Sequence, residues 1–309
     1  MISTETDAKT YYDSFASIIN KNYPQGYQIA LIKNPKYSDR SLLEQNYRYL
    51  TELVDCKEDE FLLDVGSGNG QFYEFLQSDE VYVYVRYTGI DASSEQVNIS
   101  NSKFKNDQFL NFAMEDFFML DPIMDHCFFI ESIGYTENLD RTLKSLSTSL
   151  KTGANIVVKN PFKIIDDPES DLKYTEKIKD ISKEYGYSED SLGMIVDKKV
   201  LEDTFKENGF ELVKFEIPEY DVETYNKTFV QEKALSDSHP AYIEHILGKN
   251  RVQNPSPKNK YYECGVFVFK KISNVNYDPF ASKSEEYRNQ YSAEIPNPES
   301  IDSYYSSKE

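Results

Sequence analysis

Short apolar runs alternate with segments in which apolar residues recur at helical spacing over most of the chain. The clearest apolar runs are 61–65 and 87–91, and an amphipathic segment follows each. This alternation predicts a parallel sheet with helices on both faces. We therefore expect an α/β, Rossmann-like, doubly wound fold with a mostly parallel seven-stranded sheet. The predicted strands are 61–65, 87–91, 110–114, 126–132, 154–159, 210–217 and 261–271.

Residues typical of helix ends mark several boundaries. Ser41 and Glu44 have the spacing of a capping box, which predicts a helix that begins at residue 42. Asn138 is predicted to cap a later helix, and Gly153 is predicted to end it. The run 261–271 alternates between apolar and polar residues, as an edge strand does.

The spacing of these elements predicts three regions. An N-terminal helical cap is expected over 1–55, with its first amphipathic helix over 6–23. The main domain is expected over 56–271, and the polar segment 272–309 is either a loosely held arm or disordered. Two long polar segments interrupt the main domain and are interpreted as insertions. These insertions are 163–196 and 218–260.

Composition and charge narrow the function classes. The chain has 309 residues and a formal net charge of −19, and an acidic protein is repelled by phosphate backbones, so we expect no nucleic-acid partner. No apolar stretch approaches the ~20 residues that span a bilayer, and the N-terminus lacks a signal pattern. The three cysteines lack metal spacing and fit a reducing cytosol, and the three histidines are too scattered for a metal triad. We therefore expect a cytoplasmic protein without a metal site.

The stretch 61–72, FLLDVGSGNGQF, carries the clearest chemical signal. Three glycines fall at every second position, Gly66, Gly68 and Gly70, directly after a predicted buried strand. A dinucleotide-binding turn has the spacing G-x-G-x-x-G, but here residue 71 is Gln. The carboxylate of Asp64 also suits a ligand with an ammonium group better than a pyrophosphate. The spacing therefore points away from a dinucleotide.

Five segments in order resemble the class I S-adenosylmethionine-dependent methyltransferases, over about residues 60–217. They are DVGSGNG, GIDASSEQV, AMEDF, FFIESIGYTENL and LKSLSTSLKTGANIVV. The last segment has Thr152-Gly153 where the family usually has Pro-Gly or Gly-Gly, a departure that affects only a turn. The resemblance implies S-adenosyl-L-methionine as the cofactor and a methyltransferase domain over 56–271.

The resemblance also implies which residues bind the cofactor. Asp64 and the glycine loop would hold its methionine end. Asp91, at the end of the second strand, would accept hydrogen bonds from both ribose hydroxyls, and Asp116 would accept one from the adenine amino group. The full set of expected cofactor-binding residues is Asp64, Gly66, Ser67, Gly68, Gly70, Asp91, Ala92, Glu115, Asp116, Phe117 and Glu131.

Candidate catalytic residues follow the fourth predicted strand. Glu131, Ser132 and Tyr135 are the candidates to act as a base. Glu131-Ser132 resembles the Glu-Ser or Glu-Ala that methyltransferases acting on sterols, tocopherols, prenyl diphosphates and macrolide sugars carry at this place. A structural role for the Glu131 carboxylate is an equal alternative. His239, in the insertion 218–260, is a further candidate base. The sequence Tyr11–Asp13, YYD, resembles the opening of small-molecule methyltransferases, in which the first helix covers the cofactor.

Together these features predict a methyltransferase that transfers a methyl group to a carbon or oxygen atom of a small-molecule acceptor. The acidic charge and the insertions favour a small molecule over RNA or DNA. A homodimer is possible. The alternative is a non-catalytic cofactor-binding or scaffold protein with the same fold, and the intact set of Asp64, the glycines and Asp91 argues against it.

Overall fold

A computed structural model describes residues 31–105, 108–163, 196–221, 262–281 and 285–294, with residues 9, 13, 28, 169, 172, 176 and 283. The helices are α1 (Leu42–Glu52), α2 (Gln71–Ser78), α3 (Ser94–Phe104), α4 (Leu139–Ser147), α5 (Lys198–Glu207) and α6 (Glu285–Glu294). The strands are β1 (Phe61–Val65), β2 (Arg86–Asp91), β3 (Phe109–Asn111), β4 (Met124–Ile130), β5 (Leu150–Lys163), β6 (Phe210–Glu216) and β7 (Tyr262–Lys271). Short 3₁₀ helices cover Pro35–Tyr37, Met114–Asp116 and Ile133–Tyr135. Among the helices of these residues, none has the length and apolar character needed to cross a bilayer.

The predicted α/β class is confirmed by a seven-stranded sheet with the order β3-β2-β1-β4-β5-β7-β6. The first five strands are parallel, and β7 is antiparallel to both of its neighbours. The chain runs outward from β1 to β3 and then crosses back to β4. A ligand site of a doubly wound sheet lies at such a reversal, beyond the carboxyl ends of the strands.

The core covers both faces of the sheet, because side chains alternate along each strand. Leu63 and Phe129 face one side, where they pack in a cluster with residues of α4 and α5. Leu62 and Phe128 face the other side, where they pack with residues of α1 and α2. All four side chains are fully buried. The central strands are therefore apolar on both faces, as the sequence pattern indicated.

Helix α1 begins as predicted. The hydroxyl of Ser41 accepts a hydrogen bond from the backbone N–H of Glu44, whose carboxylate accepts one from the backbone N–H of Ser41. Asn138 likewise accepts from the backbone N–H of Arg141 at the start of α4. The predicted helix over 6–23 lies outside the described residues, apart from residues 9 and 13.

Several boundaries differ from the prediction: β4 is Met124–Ile130 instead of 126–132, and β5 is Leu150–Lys163 instead of 154–159. The third strand ends at Asn111 instead of 114, because the Asn111 amide bonds the loop after β2 and the next residues turn into a 3₁₀ helix. Gly153 does not end a helix but lies within β5, with a φ of 93°. The α4 helix ends earlier, where the Thr148 N–H bonds the carbonyls of the preceding turn.

The prediction that 261–271 forms an edge strand is wrong. β7 lies between β5 and β6, and β6 is the edge strand. The side chains of β7 are buried on both faces from Cys264 to Phe269. The polar residue Lys271 is also buried, because its ammonium group donates to the carbonyls of Ser147 and Leu150 at 2.5 and 2.7 Å. Because lysine is charged, its presence here made the sequence pattern of 261–271 resemble that of a half-exposed strand.

The polar C-terminal segment packs on the main domain at the positions that the structure describes. Phe280 makes an edge-to-face contact with Phe118, with ring centroids 4.7 Å apart. Lys283 forms an ion pair with Asp116 at 2.7 Å. This segment, expected to be either a loosely held arm or disordered, therefore reaches the carboxyl side of β3.

Candidate active site

The loop after β1 brings three glycines with left-handed backbone conformations to the edge of the sheet. Gly66, Gly68 and Gly70 have φ values of 77°, 52° and 76°. A Cβ atom at Gly66 would overlap the Cβ of Ser132, which leaves no room for a side chain. At Gly68, no atom of the described residues lies within 4 Å of where a Cβ would stand. Gly66 therefore permits close packing, whereas Gly68 borders open space in which a ligand can approach the backbone.

The carboxylate of Asp91, at the end of β2, is fixed beside this open space. One oxygen accepts the Gly68 N–H at 2.9 Å, and the other accepts the Ser93 N–H at 2.8 Å. The Asn111 amide bonds the carbonyls of Asp91 and Ala92 at 2.9 and 3.0 Å and so fixes the turn. Burial raises the pKa of Asp91 to about 6. Because each carboxylate oxygen can accept more than one hydrogen bond, Asp91 keeps capacity for two ligand hydroxyls.

The carboxylate of Asp64 lies deeper, within β1. Its side chain is buried, and one oxygen accepts the Tyr87 hydroxyl at 2.7 Å. Burial raises the pKa of Asp64 to about 7, although the bond from Tyr87 acts in the opposite direction. A cationic ligand group nearby would favour the ionised form. Asp64 is thus arranged to respond to a positive charge above the loop.

Ser67 adds a polar group to the loop. Its backbone N–H, like that of Gly66, donates to the carbonyl of Ile90, so the loop is tied to β2. Its hydroxyl is buried and has no hydrogen-bond partner within the part of the chain that the structure describes. A buried hydroxyl without a partner is costly. The Ser67 hydroxyl is therefore a candidate to bond a ligand at the loop.

The two acidic residues after β3, Glu115 and Asp116, have different roles. Glu115 is buried, and one of its oxygens accepts hydrogen bonds from the Thr136 hydroxyl at 2.6 Å and from the backbone N–H groups of Glu137 and Asn138 at 2.7 and 3.2 Å. This carboxylate therefore builds the turn that leads into α4.

Asp116 remains nearer the surface, where it is paired with two cations. Its carboxylate forms ion pairs with Arg141 of α4 and with Lys283 of the C-terminal segment. Phe117, the next residue, is buried in the core against Phe112, with ring centroids 5.9 Å apart. The expected adenine side of the site is thus lined by a carboxylate that already has charged partners.

The end of β4 carries a strained backbone and a buried ion pair. Glu131 has a φ of 60°, a left-handed conformation that is uncommon for a residue other than glycine and that clusters at functional sites. Its carboxylate lies 2.8 Å from the ammonium group of Lys159, whose side chain is fully buried in β5. The same ammonium donates to Gln28 at 2.8 Å. Gln28 also bonds Asn46 and Tyr47 of α1 at 3.1 and 2.8 Å.

Ser132, the residue after Glu131, links this strand end to the glycine loop. The Ser132 hydroxyl donates to the carbonyl of Val65, the last residue of β1. Tyr135 ends the 3₁₀ helix after β4 and packs half-buried against the core. His239, the third predicted catalytic residue, lies outside the described residues.

The N-terminal segment reaches the site at Asp13. Its carboxylate accepts the Ser93 hydroxyl at 2.6 Å and the Glu95 N–H at 3.3 Å, so it lies at the start of α3. Lys9 pairs with it at 3.2 Å. Asp13 is therefore a near neighbour of Asp91 across Ser93.

The structure brings most of the predicted residues to one edge of the sheet, where β1, β2 and β4 end. Residue-by-residue motif reading missed Lys159, Gln28 and Asn111. A lysine at the end of a predicted central strand was a signal for the first, and a polar residue within the predicted third strand was a signal for the last. Gln28 had none, because only tertiary packing brings it to Lys159.

A family model described as a methyltransferase domain matches residues 38–215, more than half of the chain. No curated protein sequence matches this chain.

Solved structures with the same fold cover most of the chain at low sequence identity. The [4+2]-cyclase SpnF is 18% identical, with a TM-score of 0.63, and the match covers 89% of this chain and 97% of that one. A putative sarcosine dimethylglycine methyltransferase from Galdieria sulphuraria is 12% identical, with a TM-score of 0.62 and coverage of 85% and 100%. Geranyl diphosphate C-methyltransferase from Streptomyces coelicolor A3(2), solved with Mg²⁺, geranyl-S-thiolodiphosphate and S-adenosyl-L-homocysteine, is 12% identical, with a TM-score of 0.60 and coverage of 87% and 98%.

Proposed function

Because this chain belongs to the methyltransferase domain family, we propose that it transfers the methyl group of S-adenosyl-L-methionine to a small-molecule acceptor. The observation that carries the proposal is the junction of Gly68 and Asp91. The Gly68 backbone borders open space, and its N–H orients a carboxylate that keeps acceptor capacity. A nucleoside ribose with two adjacent hydroxyls fits such a carboxylate.

The residues present fit this cofactor along its length. Asp91 would accept the ribose hydroxyls, with Ala92 beside it. The loop from Gly66 to Gly70 would hold the methionine end, with the Asp64 carboxylate beneath it and the Ser67 hydroxyl, which has no hydrogen-bond partner among the described residues. On the adenine side we propose the 3₁₀ turn with Glu115, Asp116 and Phe117. There the Asp116 carboxylate would accept a hydrogen bond from the adenine amino group while it keeps its ion pairs.

When bound, the cofactor supplies a methyl group on a positively charged sulfur that needs little further activation. The chain's own task is therefore to align the acceptor and to exclude water. The rigid loop at Gly66, tied to β2 and to Ser132, holds the cofactor end of that alignment in place.

We assign the acceptor side to the ends of β4 and β5. There the Glu131 carboxylate lies 2.8 Å from the ammonium group of Lys159. The Glu131 carboxylate can accept a proton from the acceptor or stabilise a positive charge that develops on it. Tyr135 and His239 remain proposals for the same role. Both carbon and oxygen acceptors are compatible with this chemistry.

The net charge of −19 supports a small molecule over a nucleic acid as the acceptor. A cytoplasmic location and a homodimer are further parts of the proposal. The alternative function is a cofactor-binding protein without methyl transfer. The [4+2]-cyclase with the same fold makes this alternative worth testing.

Calorimetry with S-adenosyl-L-homocysteine tests the proposal. The full chain should bind it, and Asp91→Ala should weaken binding by about 10-fold or more, because a hydrogen bond to a charged group contributes about 1.5–3 kcal/mol. Asp203→Ala is the matched control, since Asp203 lies exposed in α5 and pairs only with exposed Lys199 among the charges of the described residues. The absence of binding to the unmodified chain would overturn the proposal. Binding without release of S-adenosyl-L-homocysteine from S-adenosyl-L-methionine over a broad panel of small acceptors would favour the alternative.

A further inference from the structure

A second cluster of polar side chains lies at the opposite edge of the sheet from the candidate active site. Cys56 and Glu60 belong to the loop before β1, and His126 lies near the start of β4. One potential ligand atom from each residue lies within 4.8 Å of the other two. Cys56 and His126 are buried, whereas the Glu60 side chain is 30% exposed. The folded chain thus brings a sulfur, a nitrogen and an oxygen ligand together from three sequence positions.

The imidazole of His126 has unused bonding capacity. Its Nε2 atom lies 2.8 Å from a carboxylate oxygen of Glu60. Its Nδ1 atom is buried and has no hydrogen-bond partner among the described residues. A buried polar atom without a partner is costly unless something else satisfies it. An ion bound at Nε2, the ring nitrogen that faces Glu60, would replace this hydrogen bond and contact both side chains.

The charges around the cluster favour a cation. The carboxylates of Glu60, Asp125 and Asp55 all interact electrostatically with Cys56. Asp125 is not available as a ligand, because Lys151 lies 2.8 Å from both of its oxygens and the Phe61 N–H donates to one of them. Glu60 is therefore the carboxylate that can reach a bound ion.

We propose that Cys56, His126 and Glu60 form a zinc(II) site. Zinc accepts mixed sulfur, nitrogen and oxygen ligands in tetrahedral geometry, with ligand atoms about 3.4–3.6 Å apart. Since the three ligand atoms lie within 4.8 Å of one another, side-chain shifts of about 1 Å would enclose the ion, and the Cys56 thiol proton is released to solvent. Water takes the fourth position on the exposed side of Glu60. The ion ties the loop before β1 to β4, so its role is structural and independent of the proposed methyl transfer.

Cobalt(II) and zinc(II) added to the metal-free full chain test this site. We expect one tightly bound ion per chain and a thiolate-to-cobalt charge-transfer band in the near ultraviolet. Cys56→Ser should abolish the band, and Cys56→Ser and His126→Gln should each weaken zinc binding by about 100-fold or more, since even outer partners of a metal site contribute 10–100-fold. Cys264→Ala, at a buried cysteine of β7, should leave the band and the affinity unchanged.

If the variants at the buried residues Cys56 and His126 do not fold, Glu60→Gln still tests the site, because the Glu60 side chain is partly exposed. It should weaken zinc binding by about 10-fold, with an unchanged circular dichroism spectrum. The absence of a charge-transfer band in the unmodified chain, or a band that persists in Cys56→Ser, would overturn the proposal. Zinc binding that is unchanged in both His126→Gln and Glu60→Gln would overturn it as well and would leave His126 and Glu60 as a simple hydrogen-bonded pair.

Discussion

The proposed cofactor half of the candidate site and the proposed acceptor half are built in different ways. At the ends of β1 and β2, the site is held together mainly by hydrogen bonds from backbone groups. Gly68 donates to Asp91, and the loop N–H groups bond Ile90. At the ends of β4 and β5, side chains dominate, since Glu131 is held by Lys159, which also bonds Gln28 of the N-terminal segment.

The difference shows how each half responds to change. A backbone-built half depends on glycine conformations and on space, so an added methyl group is the sharpest perturbation. A half built on a buried ion pair depends on charge balance, because one partner left alone in the interior is strongly destabilising. The predictions below test this contrast in order of decreasing effect.

The largest effect is expected at Lys159, whose side chain is fully buried beside Glu131. Lys159→Met should lower the free energy of unfolding by about 3–5 kcal/mol, because it leaves a buried carboxylate without its cation. Urea denaturation measures this. The double variant Lys159→Met/Glu131→Gln should recover most of the loss. A single variant within about 1 kcal/mol of the unmodified chain, or a double variant less stable than Lys159→Met, would contradict the account.

The next effect separates two glycines of the same loop. Gly66→Ala should lower the free energy of unfolding by about 3 kcal/mol, since its Cβ overlaps Ser132 in a left-handed backbone. Gly68→Ala should lower it by only about 1 kcal/mol, because its Cβ meets open space. Gly68→Ala should instead reduce affinity for S-adenosyl-L-homocysteine, measured by calorimetry. Equal losses of stability in the two variants would contradict the claim that a Cβ atom at Gly68 meets open space.

A smaller effect is expected on changing pH. The pKa of Asp64 is raised to about 7 and that of Asp91 to about 6 in the folded chain, above the ordinary value of about 3.9. The folded chain therefore binds protons between about pH 4 and 7 that the unfolded chain does not, and the free energy of unfolding falls as pH rises through this range. Carboxyls with a lowered pKa, such as Asp140, act only at lower pH.

Asp64→Asn checks that pH dependence. It should flatten the slope of the free energy of unfolding between pH 5 and 7 by up to about 1.4 kcal/mol per pH unit, since one pKa unit corresponds to 1.36 kcal/mol. Tyr87 can still donate to the new amide oxygen. Asp203→Asn, at the surface, should leave the slope unchanged. Urea denaturation at several pH values measures this slope. If the slope in Asp64→Asn equals that of the unmodified chain, the raised pKa of Asp64 is contradicted.

The smallest effect is expected at Lys283, the counterpart of Lys159 on the adenine side. Its side chain and that of Asp116 are 19% and 24% exposed, and Asp116 keeps Arg141 as a partner. Lys283→Ala should therefore cost less than about 1 kcal/mol of unfolding free energy. Lys103→Ala, which removes a surface pair with Glu74, should cost a similar amount. A loss near that of Lys159→Met would show that the C-terminal segment is part of the core.

The same contrast explains what the sequence could predict. The α/β class, the strands 61–65 and 210–217 to within a residue, and the position of Asp91 follow from contiguous patterns, because a strand, its turn and its helix are neighbours in the chain. The contact between Gln28 and Lys159 could not be predicted, since the two residues are 131 positions apart. The place of β7 was predicted wrongly because burial of Lys271 depends on carbonyls of another strand and helix.

The central claim is that Asp91 binds the cofactor ribose beside Gly68. Calorimetry with S-adenosyl-L-homocysteine and with an analogue that lacks both ribose hydroxyls tests it most directly. The unmodified chain should bind S-adenosyl-L-homocysteine about 10-fold or more tightly than the analogue, and Asp91→Ala should bind the two equally. Equal affinities in the unmodified chain, or a preference that survives in Asp91→Ala, would contradict the account.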